Sequence, residues 1–177
     1  MSETEISKIE QLVNGIESEE VRTETRLRLL FDLVCKKKGS INIPELYVDP
    51  MIDFCQRKSD DLKGMYDHDN QSALLTYAAR LANLAGRTEQ AQQLYEGAIK
   101  LLDENEYAQA AAKVAVEAGM KTRAEELYGK ICLFYEERRD FVTAARIADE
   151  AGMSKKAEGY RALQEELKKI PSYLDIK

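Results

Sequence analysis

The chain has 177 residues, 44% apolar and 33% charged, with three prolines and no tryptophan. That length suits one domain, and a composition rich in Ala, Glu, Lys, Leu and Arg favours helices over strands. Acids outnumber bases 32 to 26, for a net charge of -6, which argues against general nucleic-acid binding because phosphates need a basic patch. The acidity gathers toward the N-terminus: residues 1–70 hold 10 bases and 15 acids, whereas residues 71–177 hold 16 and 17. No window approaches the roughly 20 apolar residues that span a bilayer, and the start MSETEISKIE lacks the basic and apolar regions of a signal peptide. A cytoplasmic protein without a membrane partner is therefore expected. Cys35, Cys55 and Cys132 are widely spaced beside apolar residues and read as reduced thiols packed like small hydrophobes.

In chain order, Ile6, Ile9, Leu12, Val13 and Ile16 make one apolar stripe at helical spacing, with Ser2 and Glu5 as a capping box. A second helix over about residues 19–38 carries Leu27, Leu30, Phe31 and Val34 on one face. It ends in Lys36, Lys37 and Lys38 before Gly39, cations that suit the negative end of the helix dipole. Residues 39–50 break the periodicity and hold two prolines, so a joint is expected there. Asp49 as N-cap and Pro50 at the first helical position then start a third helix bearing Met51, Cys55, Leu62, Met65 and Tyr66. Asp67-His68-Asp69-Asn70 closes it, with Asn70 or Ser72 capping the next helix.

From about residue 71 the chain repeats itself. Ala78 to Ala91, Ala111 to Ala124 and Ala144 to Ala157 are variants of one pattern, Ala-Ala-basic-aliphatic-Ala-x-x-Ala-Gly-x-x-x-x-Ala, set 33 residues apart. Each unit has a first helix ending in Ala-Gly (Ala85-Gly86, Ala118-Gly119, Ala151-Gly152), a tight turn, and a second helix beginning near Thr88, Lys121 or Ser154. The second helices carry apolar stripes: Ala91, Leu94, Tyr95, Ala98 and Leu101; Ala124, Leu127, Tyr128, Ile131 and Phe134; and, more loosely, Ala157, Tyr160, Leu163 and Leu167. Alanine at identical offsets, as in Ala79, Ala112 and Ala145, marks places where neighbouring helices come close. A unit of this length cannot bury its apolar face alone, so copies must stack, and function belongs on the stacked surface.

At these residues the units resemble tetratricopeptide repeats. Ala79, Gly86, Ala91, Tyr95 and Ala98 match that family's small and aromatic places in the first unit. Ala112, Gly119, Ala124 and Tyr128 match in the second, with Ile131 at the last place. In the third unit Arg161 and Gln164 stand where the aromatic and final small residue belong. The resemblance implies an all-α fold: a short right-handed α-α superhelix of antiparallel helix hairpins. Residues 1–70 would be a divergent N-terminal helical segment packed on the array, residues 71–170 the repeats, and residues 171–177 a C-terminal tail.

The chemistry points away from catalysis. His68 is the single histidine, so a histidine-based triad is excluded, and the neighbouring Asp67 and Asp69 cannot converge with it as a metal cage requires. The nine glycines are scattered, and no phosphate-binding loop is formed. Acid pairs such as Glu125-Glu126 and Glu165-Glu166 are adjacent on helices and diverge around the axis. No enzyme activity, cofactor or metal is expected. The one site-like feature is a column of cations, Arg80, Lys113 and Arg146, at the same place in three first helices. The resemblance places that helix along a groove that receives extended peptides, adding Thr76, Asn83, Gln109, Val116, Val142 and Asp149. Lys113 has Glu117 and Arg146 has Glu150 four residues on, as in ordinary surface ion pairs, whereas Arg80 has Leu84 there. The expected function is a protein-interaction module, an adaptor or scaffold holding another protein or peptide, an acidic one included. The alternative is a self-associating structural protein, such as a homodimer.

Overall fold

The computed structural model describes residues 3–36, 44–65 and 67–169, with side chains excepted at 3–5 and 32–36. Among them the fold is all-α, with no strand. The chain divides into two compact units, 1–98 and 99–177. Some expectations fall outside the described residues: the Ser2–Glu5 capping box, the Lys37-Lys38-Gly39 helix end, Tyr66 and the tail 171–177. So do the side chains of Val34 and Cys35.

The first unit begins with α1 (Glu3–Val13) and α2 (Glu19–Lys36), followed by α3 (Glu45–Asp61), α4 (His68–Leu84) and the start of α5 (Thr88–Glu104). Ile9, Val13, Leu27 and Leu30 are buried as their spacing predicts, but Leu12 is 69% exposed. Glu10 ties three helices together. Its Oε1 lies 3.0 Å from Arg26 Nε of α2 and accepts a 2.8 Å hydrogen bond from the hydroxyl of Tyr47 on α3.

The third helix starts five residues earlier than the prolines suggest. Pro44, at φ -56°, takes the N-cap place, and Pro50 sits inside α3. A proline disfavours helix in the residue before it and removes one backbone donor. Burial outweighs this, because Val48, Met51, Ile52, Phe54 and Cys55 make one continuous buried face. Asp49, expected as a cap, instead pairs with Arg87. Met65 lies past the helix and is exposed, and Tyr66 is outside the described residues. The cap of α4 is Asp67, whose carboxylate accepts from the Asn70 amide and side chain, so Asn70 is the donor and not the cap.

The second unit contains the rest of α5, then α6 (Ala108–Glu117), α7 (Lys121–Glu137), α8 (Phe141–Glu150) and α9 (Ser154–Lys168). A ten-residue helix, a three-residue turn, a seventeen-residue helix and another three-residue turn make up the 33-residue period. The Ala-Gly ends behave as expected. Gly86, Gly119 and Gly152 have φ of 74°, 70° and 71°. The amide after each reaches back to the carbonyl of Ala82, Ala115 or Ala148 at 2.8 to 2.9 Å, which satisfies helix-end carbonyls. The other turn of each repeat uses a non-glycine residue in the left-handed region, Glu106 at 67° and Arg139 at 56°.

All nine alanines of the repeated triplets are buried, at 0 to 5% exposure. Side chains larger than methyl would hold those helices apart. In the second unit Ala111, Ala112, Ala115, Ala144, Ala145 and Ala148 share one core with Leu127, Tyr128, Cys132, Ile147 and Tyr160. Tyr160 occupies the place of Leu94 and Leu127, one residue before the aromatic place of Tyr95 and Tyr128, where Arg161 stands. Its hydroxyl donates to Glu136 at 2.9 Å, and burial together with that carboxylate pushes its ionisation well above the ordinary range. Cys132 is fully buried, its Sγ 3.7 Å from the Ala144 carbonyl. Burial raises its pKa, which keeps it a protonated packing residue.

Candidate interaction surface

Burying the alanine triplets turns the opposite face of each short helix to solvent. On α6 this face presents Gln109, Lys113 and Val116, and on α8 Val142, Arg146 and Asp149, all exposed. Their spacing of four and three residues keeps each trio on one side of its helix. Val116 and Val142 are 58% and 62% exposed, so apolar surface flanks the cations.

Glu150 joins the two helices. Its carboxylate lies 3.7 Å from Lys113 Nζ and 3.9 Å from Arg146 Nη1. The Arg146 pair within α8 is the one the sequence suggests. Lys113 also turns to this acid, on the following repeat, in addition to having Glu117 in its own helix. The neighbouring Asp149 accepts from Arg161 of α9. Two adjacent acids at the end of α8 therefore hold three cations from three helices. Exposed pairs of this kind are weak and exchange readily with solvent.

The first unit treats its share of the predicted residues differently. Arg80 and Asn83 are exposed on α4. Arg80 has an aromatic neighbour where the sequence offers no acid, its guanidinium 5.1 Å from the centre of the Tyr77 ring. Tyr77 in turn meets Phe31 of α2 edge-on, with ring centres 5.2 Å apart, and Phe31 lies 6.2 Å from Phe54 of α3. Helix α2 thus covers part of α4. Thr76 does not join an exposed face: it is 7% exposed, and its hydroxyl donates to the Ser72 carbonyl.

A groove of about 420 Å³ runs between α8 and α9, bordered by Phe141, Val142, Ala145, Arg146 and Asp149 on α8 and by Arg161, Gln164 and Lys168 on α9. Sequence reasoning found the Arg146–Glu150 pair but missed the reach of Lys113 to Glu150 and the roles of Arg161 and Phe141. An acid next to Asp149, repeating neither Asn83-Leu84 nor Val116-Glu117 as a pair, was the available signal. Among the described residues no three of His, Cys, Asp and Glu are grouped to hold a metal ion, and no helix is long and apolar enough to cross a membrane. His68 is the first residue of α4, next to the Asp67 cap. Comparison with known proteins finds no matching family, no matching curated protein and no matching solved structure.

Proposed function

We propose that the chain is a non-catalytic protein-interaction module, a short right-handed superhelix of tetratricopeptide-like hairpins, which holds an extended polypeptide on the exposed face of α6 and α8. The observation that carries this reading is the paired presentation of Lys113 with Val116 and Arg146 with Val142 on two helices linked through Glu150. An incoming acidic side chain can take over the cations from Glu150 while its apolar neighbours settle on the valines. The charged exposed residues of α9, among them Lys155, Lys156, Glu158, Glu166 and Lys169, suit a solvated end better than a stacking one.

The test is fluorescence anisotropy of a library of short extended peptides, acidic and neutral, against the full chain. Acidic peptides should be retained, more weakly as salt is raised, and the Lys113→Ala, Arg146→Ala double variant should lose them. Equal retention by that variant would remove the reading. Self-association is the second reading, favoured by Leu12, Val21 and Leu46, which are 69%, 55% and 70% exposed on the first three helices. Sedimentation over a wide concentration range separates the two, since a constant monomer mass sinks self-association.

A further inference from the structure

In the second unit α8 packs against α7 and reaches α6 through the Lys113–Glu150 pair. The slot it fills is walled by Tyr128, Ile131, Cys132 and Tyr135 of α7, each buried or half-buried. One period further along, the counterpart slot is the groove between α8 and α9, and no described helix lies in it. Its α9 wall has changed character: Arg161, Gln164, Glu165 and Lys168 stand at the four places just named. Its α8 wall has changed in the opposite direction. Phe141 and Val142 replace Ala108 and Gln109, and Val142 is 62% exposed. A face that only ended the array would gain polar residues on both walls; this one gains apolar surface on one and charge on the other.

We propose that this groove receives an amphipathic α-helix of a partner protein, its small apolar side chains against Phe141, Val142 and Ala145 and its acidic side chains against Arg161 and Lys168. The fold itself supplies the precedent in shape, because the equivalent slot accepts a ten-residue helix, α8 itself. Charge favours an acidic occupant, since Arg146, Arg161 and Lys168 outnumber Asp149 and Glu165 along the groove. Arg161 and Lys168 are 55% and 61% exposed where they meet Asp149 and Glu165. Pairs so open to water yield to an incoming carboxylate at little cost. The inference rests on reading the chain as an interaction module and shares Val142, Arg146 and Asp149 with the face proposed above; what sets it apart is the α9 wall of Arg161, Gln164 and Lys168, where that face has Lys113 and Val116 of α6.

The probe is a synthetic helical peptide of about 12 residues, near the shortest length at which an isolated helix persists. One stripe is alanine and leucine and the adjacent stripe glutamate; a second peptide carries lysine in place of glutamate. Amide resonances of the full chain are followed by NMR during titration. The glutamate peptide should move the signals of Val142, Ala145 and Gln164 and bind about tenfold more tightly than the lysine peptide. The Arg161→Glu, Lys168→Glu double variant should reverse that preference. Val142→Ser, which changes no charge, should weaken both peptides and serves if the double variant loses helicity. Absence of binding, equal binding of the two peptides, or shifts confined to Lys113 and Val116 would overturn the proposal. The last outcome would leave the α6–α8 face standing, so failure of one site is told apart from failure of the other.

Discussion

The α3–α4 pair in the first unit and the α7–α8 pair in the second unit have little sequence in common, yet they share internal detail. Ser59 Oγ donates to the Gln71 carbonyl at 3.2 Å, and Cys132 Sγ approaches the Ala144 carbonyl at 3.7 Å, each across twelve residues. Asp67 caps α4 by accepting from the amide three residues on, and Asp140 caps α8 the same way. Met51, Phe54, Cys55 and Ser59 are buried, as are Ala124, Leu127, Tyr128 and Cys132, their counterparts 73 residues later. The pairs differ in two respects. Helix α4 has 17 residues where α8 has 10, and Ile52 is buried where its counterpart Glu125 is exposed. Helix α3 also packs against α2 and is bonded to α1 through Tyr47 and Glu10. By the shared details α3 stands to α4 as α7 stands to α8, a likeness concealed by the longer α4 and by different side chains.

The strongest test of this equivalence is to empty the same place in both pairs. Leu127→Ala should cost about 2–5 kcal/mol and Phe54→Ala about 3–5 kcal/mol in urea unfolding; a small loss at either place would break the comparison. Next in size are the turns. Gly152→Ala forces a side chain into the left-handed region at φ 71° and should cost about 1–2 kcal/mol. Arg139→Gly relieves the same conformation at 56° and should gain about 0.5–1 kcal/mol, since glycine returns part of the benefit through a freer unfolded chain. Thermal melts of the two variants should therefore move in opposite directions. The smallest effect is expected at the caps. The Thr143 hydroxyl and amide hold the Asp140 carboxyl below its ordinary range. Its contribution is present above the unfolded value, about 3.9, and is lost as pH falls through the lower folded value. Asp140→Asn should flatten the acid side of the stability curve, and an unchanged slope would show that this cap carries no linkage.

The repeated half is legible because its information is local and periodic. Alanine triplets, Ala-Gly ends and second-helix starts at Thr88, Lys121 and Ser154 all stand where the spacing puts them. The start of α3 was not legible, since proline signals a boundary only until a buried stripe on both sides outweighs it, as Val48 and Met51 do around Pro50. Tyr160 stood in the third stripe by its spacing, but the bond from its hydroxyl to Glu136 of α7 was not legible. Of the expected surface residues, Lys113, Arg146, Gln109 and Asn83 are exposed and Thr76 is not. A contact between helices decided one pairing, Glu150 with Lys113, and spacing within one helix contains no record of it. The Tyr77–Arg80 contact lies within α4 at a spacing of three, so its signal was in the sequence.

The extra length of α4 sets a rule for altering this architecture. Seven residues advance a helix by about 10.5 Å but turn it by nearly two whole revolutions, so its buried stripe returns to within about 20° of where it began. Trimming α4 back to the span of α6 or α8 would therefore preserve which residues meet α3. A cut of five would swing that stripe by about 140°, and alanines now shut away from water would face it. Natural or engineered resizing of this chain thus has a step size, dictated by the pitch of the helix rather than by composition.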